Sequence, residues 1–168
     1  MAPMRNTLAL VMLAALAACQ TVPDRPAFSK QQVAALTSQG FRPVGENYEL
    51  GISDKVLFGF DSSELSAETG AVVDKLSKAL AGAGIRGATV EGHTDALGAD
   101  EYNLDLSQRR AVAVKAAFEA AGMPAGSIRA QGLGESDPVE TNDTEEGRAQ
   151  NRRVVIVVTP ADAIRVKR

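Results

Sequence analysis

The residues able to do chemistry gather in one stretch of this chain, EGHTDALGADEYNLDLSQRRA, from Glu91 to Ala111. It holds His93, the only histidine of the chain, then Asp95, Ser107 and the pair Arg109 and Arg110. An acid and a base held apart along a chain can serve three ends. They can catalyse, they can bridge each other, or they can form the two ends of a receptor for a zwitterion. In the last case Arg110 would grip a carboxylate through two parallel hydrogen bonds, and Asp95 would accept from an ammonium. The residue types alone leave these three readings open.

Catalysis has the weakest support among them. Ser107, His93 and Asp95 supply the side chains of a hydrolase, but nothing resembles a nucleophile elbow. The nearest glycine-rich run, Gly132 to Ser136 (GLGES), lacks the central serine of GxSxG. No catalytic residue is therefore assigned, and no enzyme is expected. A lone histidine cannot be half of a two-histidine metal site, so no metal and no cofactor is expected either. The expected role of His93 is a hydrogen bond that fixes a strand end.

These side chains need a scaffold to hold them. Ahead of them, SAETGAVVDKLSKALAGAG (Ser66 to Gly84) predicts a helix capped by Ser66 and ended by Gly82 and Gly84. Val72, Val73, Leu76, Ala79, Leu80 and Ala83 form its apolar stripe. ATVEG predicts a short strand that ends at the histidine. A longer helix is expected from Asp100 to Ala121, with Leu104, Ala111, Val114, Phe118 and Ala121 on one face. Asp100 and Glu101 suit its positive N-terminus, and Gly122 and Pro124 stop it. SIRAQGLG predicts a strand, and DPVETNDTEEGRAQN a loop closing with one helical turn. RRVVIVVT predicts a last strand, apolar on both faces and so central in its sheet.

Nearer the N-terminus, FSKQQVAALTSQG predicts a helix over Lys30 to Ser38. Ser29 and Gln32 make a capping box, Phe28 and Val33 occupy the staple positions, and Gly40 caps the end. In NYELGISDKVLFGF the alternation of Tyr48, Leu50 and Ile52, then of Val56, Phe58 and Phe60, predicts strands broken at Ser53 and Asp54. The order of elements gives an α+β or mixed α/β fold, a sheet with two main helices packed on it.

At 168 residues with 45% hydrophobic content the chain has the length of one domain and enough apolar mass for a core. Its formal charge is −3 and no basic block appears, which argues against a nucleic-acid partner. The chain opens with a positive Arg5 and an apolar run from Leu8 to Ala18, shorter than the ~20 residues a bilayer span needs. Such a run predicts a secretory signal. It ends in Leu16-Ala17-Ala18-Cys19, which resembles the lipobox of bacterial lipoproteins. That resemblance implies lipidation of Cys19, the only cysteine, and Gln20 after it implies sorting to the outer membrane. Multiple acyl chains make such attachment stable.

Five motifs in order point to a family: FGFDSSEL, GHTDALG, YNLDLSQRRA, GLGESDP and EGRAQNRRV. Together they resemble the OmpA-like domain, over roughly Val56 to Thr159. The resemblance implies an α+β sandwich with a mixed sheet of four or slightly more strands and two main helices. It implies peptidoglycan as the partner, bound at the zwitterionic end of meso-diaminopimelate in the peptide stem. Carried onto this chain, the clamps would be Asp95 and Arg110. Asp61 would line the pocket or cap the next turn, Asn103 and Leu106 would border the ligand, and Thr94 would offer a backbone or hydroxyl contact. Arg152 would meet a ligand carboxylate or neutralise nearby acids.

FSKQQVAALTSQGF, LGISDKVLFG, FEAAGMPAGSIRAQGLG and NRRVVIVV are further similar to the YfiB-type outer-membrane lipoproteins. That narrower likeness implies capture of a small periplasmic repressor, which frees a diguanylate cyclase; the helix over residues 30–38 either makes the repressor contact or only covers one edge of the sheet. The alternative is a purely structural tether between membrane and wall. The expected organisation is a signal peptide at 1–18, a lipidated cysteine and linker at 19–27, and an N-terminal helix and strand at 28–53. The OmpA-like domain at 54–160 and a tail at 161–168 follow, with the domain facing the periplasm.

Overall fold

The computed structural model describes residues 27–58 and 62–163. Cys19, Phe60, Asp61, the apolar leader and residues 164–168 lie outside the described residues. The chain forms helix α1 (Lys30–Ser38), strands β1 (Arg42–Val44) and β2 (Asn47–Ser53), and helices α2 (Asp54–Leu57) and α3 (Ala67–Gly82). Strand β3 (Ala88–His93), helix α4 (Asp100–Ala120), strand β4 (Ile128–Gly134), helix α5 (Glu145–Asn151) and strand β5 (Arg153–Val158) follow. The strands make one mixed sheet in the order β1-β2-β5-β3-β4.

β5 is central, antiparallel to both β2 and β3, and Val154 to Val158 are buried on both of its faces, as its unbroken apolar run predicts. β3 and β4 run parallel, joined through α4. The core collects Leu80, Ile85, Val90, Val114, Phe118 and Ile156 from these elements. Complete burial of such side chains contributes ~1.5–3 kcal/mol each.

The local signals act as expected at several ends. The Ser29–Gln32 capping box forms at α1, and the Ser66 side chain accepts from the Thr69 N–H at α3. α4 stops at Gly122, whose φ of 98° places it in the left-handed region. Its N–H bonds the Glu119 carbonyl and the next N–H, of Met123, bonds the Phe118 carbonyl.

Some expectations need correction. Val56 and Phe58 do not continue a strand. Asp54–Leu57 is one helical turn, with Val56 60% exposed while Leu57 and Phe58 are buried. The turn is held from α3, where the Thr69 hydroxyl meets the carbonyls of Val56 and Leu57. That tertiary bond overrides the local alternation. β1 is an added strand, paired to β2 across a turn with Gly45 at φ 59°. Phe28 sets its ring edge-on to Tyr48, with centroids 5.3 Å apart. Val72 and Leu104 sit on solvent-facing sides of their helices.

Leu104 is displaced because the buried side of α4 is partly polar. Asn103, Leu106, Ser107, Arg110, Ala111, Val114 and Phe118 all face inward. Their spacing follows the helical repeat. At Ser107 the helix rests on bare strand backbone. A Cβ on Gly92 of β3 would lie 2.1 Å from the Ser107 carbonyl oxygen, and one on Gly132 of β4 would lie 2.5 Å from the Gln108 nitrogen. The same contact closes the free edge of β4. The Gln108 side chain accepts from the Gly132 N–H at 2.7 Å, and the Ser107 hydroxyl from the Gly134 N–H at 2.9 Å.

Gly92→Ala therefore forces α4 off the sheet. Urea denaturation should show a loss of about 1–3 kcal/mol, the usual cost of overpacking. Gly82→Ala, where an added Cβ meets nothing within 4 Å, should leave stability equal or higher. Equal stability of Gly92→Ala and the parent would contradict the close contact.

Candidate functional site

The register of three strands builds the site. Ser53 of β2 and His93 of β3 both pair with Arg153 of β5. The next residues along each chain therefore meet at one end of the sheet: Asp54, Arg152, Thr94 and Asp95. α4 brings Asn103, Leu106 and Arg110 over the same end. The result is a cleft of about 870 Å³ lined by Asp54, Phe58, Thr94, Asp95, Leu106 and Arg110 among others, with Glu145 and Arg152 at one side.

The loop after β3 is fixed by amide side chains. Asn103 is buried and its Nδ2 donates to the carbonyls of Asp95 and Leu97 and to Glu135. Asn151, fully buried, accepts from the N–H groups of Val139 and Glu140 and donates to Asn142. Asn142 in turn accepts from the Ala96 N–H. Both ends of the Asp95 loop are thus tied to other elements.

The charges are matched in a graded way. Arg152 donates to Asp95 at 2.5 Å and to Glu145 at 2.7 Å. Its hydrogen bond holds the Glu145 carboxyl below the usual range. Asp95 also accepts from the Leu97 N–H at 3.0 Å. Arg110 is 4% exposed; its Nε donates to the Ser62 carbonyl at 3.2 Å and its guanidinium lies 5.3 Å from the centre of the Phe58 ring. The Asp54 Oδ2 stands 3.4 Å from Arg110 Nη1 and 3.8 Å from Arg152 Nε. The Asp54 Oδ1 is buried and has no hydrogen-bond partner. Burial pushes the Asp54 carboxyl upward, against the pull of Arg110 and Arg152.

Of the residues singled out in the sequence, Thr94, Asp95, Asn103, Leu106, Arg110 and Arg152 all line this cleft. Asp95 pairs with Arg152, and Arg110 pairs with Asp54; the two expected clamps are each matched to a different partner. The Thr94 hydroxyl is buried without a hydrogen-bond partner, while its N–H bonds the Gly134 carbonyl. Asp54 and Glu145 were not anticipated. Asp54 read only as a break between strands, and its place beside Arg152 follows from the β2–β5 register, which no local pattern encodes.

His93 does not make the expected side-chain hydrogen bond. The ring is 2% exposed and neither nitrogen has a partner. Its backbone, not its ring, fixes the strand end, through pairing with Arg153 and Gly134. Ser107 is committed elsewhere, donating to the Leu104 carbonyl and accepting from Gly134. Among the described residues no group of three or more His, Cys, Asp or Glu side chains could hold a metal ion. No helix among them is long and apolar enough to cross a membrane.

Comparison with known proteins adds four likenesses. The profile of the OmpA family matches residues 57–152. The chain is 46% identical over 147 residues to the outer-membrane lipoprotein YfiB of Pseudomonas aeruginosa, spanning 88% of this chain and 87% of that one. It is 33% identical to the peptidoglycan-associated lipoprotein of Rhizobium meliloti, over 90% and 85% of the two chains. Among solved structures, the cell wall anchor of the T6SS from Pseudomonas aeruginosa superposes with a TM-score of 0.65 at 29% identity. That match covers 81% of this chain and 99% of the other.

The buried ring of His93 gives a measurable pH signature. Burial, and then the nearby Arg153 charge, lower its pKa from 6.5 to about 4. Between those values the unfolded chain takes up a proton that the folded chain does not. Stability should therefore fall as pH drops from 6.5 toward 4, by up to roughly 3 kcal/mol from this group. As the only histidine, its ring resonances give the midpoint directly by NMR. A midpoint near the ordinary 6.5 would place the ring in water and contradict this burial.

Proposed function

The chain belongs to the OmpA family, and we propose that its cleft binds peptidoglycan non-covalently at the free zwitterionic end of meso-diaminopimelate in the stem peptide. Like its YfiB relative it is an outer-membrane lipoprotein, so wall binding makes it a tether between membrane and wall. One observation carries this reading: Asp95 and Arg110, both buried, line one cleft from different elements and are not spent on each other. The names of relatives support it, one a peptidoglycan-associated lipoprotein and one a cell wall anchor.

The proposed chemistry is an exchange of partners. Both oxygens of Asp95 already accept one bond each, and a carboxylate oxygen has two lone pairs. Asp95 can therefore receive an ammonium while keeping Arg152. The planar guanidinium of Arg110 can meet a ligand carboxylate through two parallel hydrogen bonds, in exchange for contacts such as the 3.4 Å one to Asp54. Thr94 and Asn103 border the ligand, as does Leu106. Arg152 acts on the site by neutralising Asp95 and Glu145. Amidation or crosslinking of the diaminopimelate end removes a charge or adds bulk, so the cleft selects uncrosslinked stems. It binds the wall without cutting it; release of muropeptides by the purified protein would overturn that part.

The YfiB likeness supports a second role, capture of a small periplasmic repressor that otherwise restrains a diguanylate cyclase. α1 is the surface proposed for it, with Lys30, Gln31, Ala34, Thr37 and Ser38 exposed. Co-purification of such a repressor from periplasm, lost when the exposed residues of α1 are changed to Glu, is the expected result. Co-purification that survives the change would move the contact elsewhere.

The primary test is sedimentation with purified sacculi, using the full-length lipoprotein in detergent beside Asp95→Ala and Arg110→Ala. Removing one partner of a hydrogen-bonded charge pair costs ~2–5 kcal/mol of binding. The parent should sediment and both variants should stay in solution with unchanged circular dichroism. Retention of both folded variants on sacculi would sink the site assignment.

A further inference from the structure

The cleft contains a charge that a zwitterion receptor does not require. Asp54 begins α2, and its backbone N–H bonds the Arg152 carbonyl at 3.1 Å, which pins its position. Its carboxylate faces two guanidinium groups but binds neither closely, at 3.4 and 3.8 Å. Charge-assisted hydrogen bonds between such groups are normally ~2.7–2.9 Å. Arg152 reaches that range with Glu145 and an even shorter contact with Asp95, so the looseness is particular to Asp54. The other oxygen, Oδ1, is buried and makes no hydrogen bond, although the neighbouring Lys55 N–H also favours the charged carboxylate. A buried acceptor left unsatisfied costs ~1–3 kcal/mol, more when charged. Asp54 is therefore a poorly satisfied anion held where an incoming anion would sit.

We propose that Asp54 is a specificity-determining residue, a resident carboxylate that competes with the ligand carboxylate for Arg110 and so sets how strongly the cleft takes anions. The inference rests on the reading that Arg110 receives a carboxylate. The charged groups around Asp54 are Arg110 on α4, Arg152 before β5, the adjacent Lys55, and the acids Asp95 and Glu145 across the cleft. Among the described residues, the cleft lining carries Asp54, Asp95 and Glu145 against Arg110, Arg152 and Lys55. An added carboxylate enters beside three acids that already face these cations. An ammonium entering beside Asp95 offsets the added charge, so a zwitterion is admitted where a simple anion is repelled. Removing the charge of Asp54 should relax this discrimination and leave Arg110 more open to any carboxylate.

The test uses two bare probes, acetate and methylammonium, on the full-length protein in detergent micelles. The Arg110 Nε–H resonance reports the contact by NMR. In Asp54→Asn the acetate midpoint should fall about tenfold relative to the parent, the scale of one charge interaction near a protein surface. The methylammonium midpoint should stay or rise. Asp54→Ser, which removes the carboxylate and shortens the side chain, should act in the same direction and guards against a folding fault peculiar to the Asn variant. An acetate midpoint that is unchanged or higher in both folded variants would overturn the proposal and make Asp54 a support for Arg110. Sacculus binding by the parent is scored separately. If acetate binding tightens in the variants while the parent ignores sacculi, the wall-binding reading fails and the role of Asp54 at Arg110 stands.

Discussion

Everything in this site depends on α4 lying directly on strand backbone. A helix normally meets a sheet through side chains on both. Here Gly92 and Gly132, neighbours in register on β3 and β4, remove the side chains from the sheet's part of the contact. Ser107 and Gln108 then reach the backbone itself and bond the free N–H groups of the β4 edge. The helix cannot slide or rotate without breaking those bonds or striking a strand. Asn103, one turn before, is fixed over the Asp95 loop, and Arg110, one turn after, is fixed over the cleft. Precision at the charged groups comes from two missing side chains beneath them.

The electrostatics follow from that closeness. Buried guanidinium and carboxylate groups are tolerated only when paired, because a buried charge left alone carries an uncompensated desolvation cost. The cleft meets this demand unevenly. Arg152 is well bonded to Asp95 and Glu145, whereas Arg110 and Asp54 share a longer contact. Such a gradient separates support from reception. The arginine bonded to two carboxylates holds Asp95 in place, and Arg110 is the proposed receiver of the ligand carboxylate. On the proposed reading a zwitterion enters by exchanging ion pairs for others of the same kind, with little net charge buried.

The fold was legible where the signal is local. Ser29 and Gln32, Ser66, and Gly122 marked helix ends that the chain adopts, and the two-sided apolar run of β5 marked the centre of the sheet. The motif residues of the cleft were also legible, since Thr94, Asp95, Asn103, Leu106, Arg110 and Arg152 converge there. What escaped depends on distant partners. Val56 and Phe58 alternate like a strand, but Thr69 of α3 captures the carbonyls of the turn. Leu104 was counted as core because the polar residues Asn103, Ser107 and Arg110 were not expected to take the buried side. Asp54 meets Arg152 only through the pairing of Ser53 with Arg153, a register set by the whole sheet. His93 was assigned a hydrogen bond from its type, yet its environment leaves both ring nitrogens unpartnered.

The most direct measurement is calorimetric titration of the detergent-solubilised protein with a tripeptide stem ending in meso-diaminopimelate, beside the same peptide amidated at that end. The expected result is saturable binding of the free zwitterion and a loss of at least about tenfold on amidation, the equivalent of ~1.4 kcal/mol. Equal affinity for both peptides would contradict it, since a cleft that ignores the charge at that end does not use Asp95 and Arg110 as a zwitterion clamp.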